Sequence, residues 1–240
     1  LLRRGRQIGR LGGAWTYALA GIAIGPVLLT RFDVFPTLFA VAGLMLLNRP
    51  IRSGVMFGFG ALLKVWPAFL VIAHRRRALP KVVAGLIATA VAVSMLLISW
   101  GPNAGSFLSE QGQRGLQIES VGGAPYVLAN FFGYDLNTIF RYGSLEINAA
   151  GAGAIASFVA LAGFVLLAWL GYARLRGRLE RVPAGDIALA IVLISIATSR
   201  VFSPQYMIWV GGIGAFAMLS SRTRMRPVMW LVFLTAIFGQ

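Results

Sequence analysis

Four short stretches of this chain place ionisable side chains inside or beside apolar sequence. They are Arg31 and Asp33 in TRFDVFP, Lys64 in GALLKVWP, Arg114 through Glu119 in QRGLQIES, and Arg200 through Tyr206 in SRVFSPQYMIW. A charge in such a place is costly and needs a partner or a purpose. Asp33 has the chemistry of a general base, or of an acceptor that orients a sugar hydroxyl; it equally suits the N-cap of a helix starting near Val34, paired with Arg31. Lys64 stands midway between two apolar half-segments, where an ammonium either binds an anionic phosphate or snorkels to the surface. Arg114 offers a forked contact to phosphate, with Gln117 beside it, and Glu119 can take a hydroxyl proton. Arg200 precedes Gln205 and Tyr206 at the end of a short apolar run, as a phosphate contact or an interfacial anchor. The expected site is therefore Asp33 and Glu119 as catalytic carboxylates, with Arg31, Lys64, Arg114, Gln117, Arg200, Gln205 and Tyr206 binding substrate and an anionic donor. No metal or other cofactor is expected. Cysteine is absent, the single histidine, His74, reads as a boundary residue, and no phosphate-cradling glycine loop, dinucleotide fingerprint or zinc-protease motif occurs.

The elements that must position these groups follow from composition. The 240 residues are 58% hydrophobic and 12% charged, far from the balance of a water-soluble domain. Apolar runs cover Leu11 to Thr30, Val34 to Asn48, Ile51 to Ala73, Val82 to Trp100, Ala149 to Ala173, Gly185 to Ser199, Gln205 to Ser221, and Pro227 onward. Most approach the roughly 17–25 residues a helix needs to cross hydrocarbon. The expectation is an all-α polytopic membrane bundle, one transmembrane domain over residues 1–240, belonging to a longer protein because both ends read as cut.

The net charge of +15 would suit nucleic acid in a soluble protein; here the cations sit in short clusters between apolar runs, the mark of cytoplasmic loops. With a cytoplasmic N-terminus, Arg3, Arg4, Arg6, Arg10, Arg49, Arg52, Arg75, Arg76, Arg77, Lys81, Arg174, Arg176, Arg178, Arg181, Arg222, Arg224 and Arg226 all fall inside. This sorting requires Ile51 to Ala73 to dip in and return as a re-entrant hairpin, broken near Lys64 and Pro67. Residues 101–148 then form an extracytoplasmic loop, expected to be ordered and built of short helices. Asp33, Glu110, Glu119, Asp135 and Glu146 share that outer side. The pairs Gly21/Gly25 and Gly54/Gly58 read as close helix packing, and the Arg174 to Arg181 cluster as a topology determinant touching anionic lipid.

Taken together, RFDVFPTLFAVAGLMLL, SGVMFGFGALLKVWPAFLV with RRR, RGLQIESV and SRVFSPQYMIWV resemble glycosyltransferase family 87, across about Thr30 to Gly211. The most specific pieces are the segment ending at Lys64 and Pro67, and FSPQYMIW from Phe202 to Trp209. The resemblance implies a GT-C fold in a bacterial plasma membrane and an extracytoplasmic active site. It implies a hexosyl transfer, of mannose in several members, from a polyprenyl phosphate donor to a glycolipid or glycan hydroxyl. Family enzymes place a key Asp in a first outer loop that this sequence lacks, leaving Asp33 as the best remaining carboxylate. A transporter or flippase for a sugar-lipid is the alternative, since it also wants cations at membrane depth; a structural scaffold leaves Lys64 unexplained.

Overall fold

The computed structural model describes residues 11–100 and 114–238; Arg3, Arg4, Arg6, Arg10, Glu110 and the first part of the expected extracytoplasmic loop, 101–113, lie outside them. The chain forms two compact units: the first takes Leu1–Val93, Leu170–Leu193 and Pro204–Gln240, the second Ser94–Trp169 and Ile194–Ser203. The described residues are mostly helical. In chain order the helices are α1 (Gly12–Ile24), α2 (Val27–Thr30), α3 (Val34–Met45), α4 (Pro50–Leu63), α5 (Leu79–Trp100), α6 (Ala124–Phe131), α7 (Ala152–Leu175), α8 (Ala184–Ala197), α9 (Tyr206–Ala217) and α10 (Arg226–Phe238). A 3-10 segment, Trp66–Ala73, follows α4, and a 3-10 turn, Arg76–Ala78, precedes α5.

In the first unit, α9 is the central helix, and nearly every residue from Ile208 to Ala217 is buried. It packs on α1 and α3, with Gly211 against Ala20 and Gly212 against Thr37. By contrast, α5 and α7 are long and apolar enough to cross a membrane and bury few of their residues. Ile87, Val91, Met95, Phe158, Phe164 and Trp169 are exposed along them. Apolar surface on that scale is costly in water and fits hydrocarbon. The remaining apolar helices span 10–17 residues.

The run from Leu11 to Thr30 is not one helix. Pro26 has no N–H for the Ile22 carbonyl, and Gly25 adopts φ +58°, so α1 ends there and the short α2 starts afresh. Among the described residues, a Cβ on Gly21 would meet only Leu28 of the adjoining α2 and one on Gly25 would meet nothing, so this pair seats no distant helix. Gly54 and Gly58 do: a Cβ on Gly54 would strike the Val82 carbonyl, and one on Gly58 would press on Thr89. Gly85 mirrors them against the Ile51 carbonyl, so α4 and the start of α5 meet backbone to backbone.

The stretch from Ile51 to Ala73 doubles back. Pro67 cannot donate to the Leu63 carbonyl, α4 stops, and Lys64 adopts an extended conformation before the chain returns as the 3-10 segment. The return is pinned where it closes: the buried Ser53 hydroxyl lies 2.8 Å from His74 Nε2 and 2.7 Å from the Gly43 carbonyl. That carbonyl can only accept, so the Ser53 proton goes to it and His74 donates Nε2–H to Ser53 Oγ. His74 is thus a buried tie rather than a boundary residue. Beside it Arg174, also buried, donates to the Ile72 and Ala73 carbonyls at the 3-10 terminus, which lack helical partners, and to the Leu179 carbonyl in the turn after α7. Arg174 therefore leaves the set of surface cations to which its sequence neighbours assign it.

The same end of the unit gathers the other basic turns. Asp186, in the first turn of α8, accepts from the Thr223 hydroxyl (2.6 Å) and the Arg224 N–H (3.0 Å). A cavity of about 310 Å³ there is lined by Leu44, Asn48, Pro183, Leu219 and Ser220.

The second unit departs from a loop of helices alone. Besides α6 it carries an antiparallel ribbon, β1 (Thr138–Arg141) paired with β2 (Ser144–Ile147). β-Branched and aromatic residues favour the strands, and Tyr142 and Gly143, both at positive φ, make the two-residue turn whose twist suits a hairpin. Residues 116–118 add a third edge through Ile147 N–H to Leu116 and Ile118 N–H to Leu145. Leu116, Ile147, Ala152 and Ala156 form the core beneath.

Two stability outcomes follow. Burial first, and the Arg174 guanidinium second, push His74 down to about 4, whereas an unfolded histidine titrates near 6.5. Between these values the unfolded chain binds more protons, so stability is complete above about pH 6.5 and falls as pH drops toward 4. Thermal melts in detergent from pH 7.5 to 4.5 should show this decline in the wild type and a shallower one in His74→Gln, whose amide still donates to Ser53; parallel curves would remove His74 from the account. Gly54→Ala should cost about 1–3 kcal/mol through the clash with Val82, while Gly153→Ala, in open space, should be neutral or slightly stabilising in the same melts.

Candidate functional site

Three elements of the first unit converge on one carboxylate. Asp33 precedes α3, Lys64 stands at the apex of the doubled-back segment, and Trp209 lies on the first turn of α9. Asp33 is 2% exposed, and its Oδ1 accepts from Lys64 Nζ at 2.7 Å and from Trp209 Nε1 at 2.6 Å. The N-cap alternative does not hold, because the Asp33 side chain makes no capping hydrogen bond. Nor does the Arg31 pairing: Asp33 is bridged to Lys64, and Arg31 is exposed. The Asp33 backbone carbonyl is held by the Thr37 hydroxyl at 2.8 Å, which steadies the turn carrying the carboxylate.

Lys64 is clamped as well as paired. Its side chain is 26% exposed, and the ammonium lies 4.8 Å from the Trp209 ring centre and 5.3 Å from that of Tyr206. Both faces are electron-rich and favour a cation. Tyr206 packs on Trp209 with centroids 4.2 Å apart, and Trp66 stacks on Trp209 at 5.2 Å. These three rings leave one polar debt. Trp66 Nε1 is buried without a hydrogen-bond partner among the described residues, a condition that costs about 1–3 kcal/mol. Gln205 is half-buried at the N-cap position of α9 and makes no side-chain capping bond.

The second unit brings together Arg114, Gln117 and Arg200, which are far apart in sequence. Gln117 is buried; its N–H donates to the Arg200 carbonyl (2.9 Å), its Oε1 accepts from Phe202 N–H (2.9 Å), and its Nε2 donates to the Ser144 hydroxyl. Arg200 donates to the Arg114 carbonyl at 3.2 Å, and the Arg114 guanidinium lies 5.7 Å from the Tyr142 ring centre. What the structure displays here is a knot joining the 114–118 segment to residues 200–202. Glu119 is exposed and makes no hydrogen bond or ion pair with another described residue. Glu146 is the buried carboxylate of this unit, accepting the Gly115 N–H at 3.0 Å.

Sequence reasoning singled out Asp33, Lys64 and Tyr206 but left Trp66 and Trp209 out of the expected site. A signal for Trp209 was available: it lies three residues after Tyr206, hence on the same helical face. Comparison of the chain with protein-family models, curated proteins and solved structures finds no match.

The geometry makes the Asp33–Lys64 pair measurable. Removing one partner strands a buried charge, so Lys64→Met should destabilise the protein by about 3–5 kcal/mol. Asp33→Asn in the Lys64→Met background should recover part of that loss. A double-mutant cycle from chemical unfolding in detergent reads the coupling, and additive single effects would mean that the pair does not interact.

Proposed function

We propose that the Asp33–Lys64–Trp209 site is the catalytic centre of a multi-pass membrane glycosyltransferase. It would move a sugar, mannose in the leading version of the proposal, from a polyprenyl phosphate to a hydroxyl of a glycolipid or glycan acceptor. The observation that carries the reading is the buried carboxylate of Asp33, held through Oδ1 by an ammonium and an indole N–H.

In this reading both donors converge on Oδ1, and Oδ2 is the oxygen presented to the acceptor. Asp33 takes the acceptor's proton while the acceptor oxygen attacks the anomeric carbon from the face opposite the leaving group. The bond from that carbon to the phosphate oxygen breaks, the electron pair leaves with the polyprenyl phosphate, and the configuration inverts. Lys64 bridges Asp33 and the departing phosphate and stabilises the charge that develops there. The Trp66 N–H would donate to a substrate oxygen, which settles the debt left by its burial. Arg200 and Gln117 act in this scheme as the knot that orders the outer loop. In this reading the Arg-rich turns face the cytoplasm and the Asp33 end the outside of a bacterial plasma membrane, a placement supported by the sorting of cations along the sequence.

The test uses the full-length protein in membranes with labelled polyprenyl-phosphate mannose. Asp33→Asn should lower transfer by at least about 100-fold, in line with the loss of a general base. Lys64→Ala should lower it too, and Trp66→Phe, which keeps the stack, should raise KM with kcat largely kept. Transfer at the wild-type rate in Asp33→Asn would remove the site from the chemistry. Movement of intact sugar-lipid across the bilayer without transfer would replace the enzyme reading by transport.

A further inference from the structure

The basic turns of the first unit form a surface that neither the buried ion pair nor sugar transfer uses. Arg75, Arg76, Arg77 and Lys81 lie at the start of α5, and Arg176, Arg178 and Arg181 follow the end of α7; all seven side chains are exposed. About a hundred residues separate the two groups in sequence, and three contacts join them. Buried Arg174 donates to the Ile72 and Ala73 carbonyls on one side and to the Leu179 carbonyl on the other. Arg76 N–H donates to Glu180 Oε1 at 3.1 Å. The Arg76 guanidinium lies over Gly177, whose φ of +74° makes the turn.

Glu180 is the carboxylate inside this cluster, and it is spent on the Arg76 backbone and on Arg174 at 3.8 Å. The surface guanidiniums make no ion pair with another described residue. Like charges held this close repel one another, so the arrangement stores a demand for anions. Two features set what kind of anion meets it. Both membrane-length helices, α5 and α7, reach the cluster, with exposed apolar side chains along their lengths. Tyr172 is exposed one turn before Arg176, whose guanidinium lies 5.9 Å from its ring, the placement of an interfacial aromatic. A ligand that fits has a phosphate for the guanidinium forks and acyl chains for the helix faces.

We infer that this composite cluster is a binding site for the headgroups of anionic phospholipids, built from the Arg75–Lys81 and Arg176–Arg181 turns and locked by Arg174. It gathers phosphodiesters at the basic end of the unit and sets the depth of α5 and α7. The inference does not depend on the catalytic proposal.

The experiment measures lipid selectivity at the protein surface by electron spin resonance. The full-length protein is reconstituted in phosphatidylcholine, with spin-labelled phosphatidylglycerol or phosphatidylcholine as probe. The wild type should favour phosphatidylglycerol about five-fold or more, and high salt should reduce that preference, as electrostatics demands. The combined variant Arg75→Gln, Arg76→Gln, Arg77→Gln, Arg178→Gln should bring the ratio close to one, while Arg222→Gln with Arg224→Gln should keep most of it. Equal association of both probes with the wild type would overturn the inference, as would a preference that survives the combined variant. Should that variant fail to fold, soluble glycerol phosphate added to the wild type decides. If it abolishes the preference at low millimolar concentration, the site belongs to a free anion and the lipid assignment is lost; if the preference persists, the site reads the lipid.

Discussion

A carboxylate can be buried in an apolar bundle only if an opposite charge and hydrogen-bond donors are buried with it. The site end of the first unit is arranged around that constraint. Asp33 is 2% exposed, and it is tolerated because Lys64 and Trp209 both reach Oδ1. Lys64 reaches it because Pro67 stops α4, so that the chain turns where the lysine stands. Trp209 reaches it because the central helix starts three residues earlier, at Tyr206, and carries the indole on its first turn.

The opposite end meets the same demand with different chemistry. Where the doubled-back segment closes, its last carbonyls have no helical partners, and Arg174 supplies the donors. Ser53 and His74 close the loop with a neutral pair, which burial favours because it keeps the imidazole uncharged. One buried guanidinium thus holds the 3-10 terminus and the turn after α7 together, and the exposed arginines of both turns become one surface. The glycine contacts between α4 and α5 allow the backbones to approach closely enough for this closure.

The two units use their polar residues differently. In the first, the ion pair involves two side chains and leaves groups with chemical capacity. In the second, Arg200 donates to a backbone carbonyl, and Gln117 accepts a backbone N–H while its amide nitrogen donates to the Ser144 hydroxyl. The second arrangement orders a loop that has little helical content and a small core of Leu116, Ile147, Ala152 and Ala156. Irregular backbone in such a loop needs side chains to finish its hydrogen bonding, and the residue types that suit phosphate recognition also suit that task.

Hydropathy and charge sorting by themselves determined the helical character, the positions of most helices, and the doubled-back segment between Arg49 and Arg75. These are local or additive properties: apolar length, the missing N–H of proline, and the run of cations between segments. The ribbon at Tyr142 and Gly143 and the break at Gly25 are also local, though each rests on a backbone conformation that hydropathy does not register. Only the tertiary structure decided who pairs with whom. It joined Asp33 to Lys64 across 31 residues and to Trp209 across 176, buried Arg174 among arginines of similar sequence context, and turned His74 from a border residue into a tie. Partner choice in an ion pair or a hydrogen bond depends on which surfaces meet after packing, and no window along the chain carries that information.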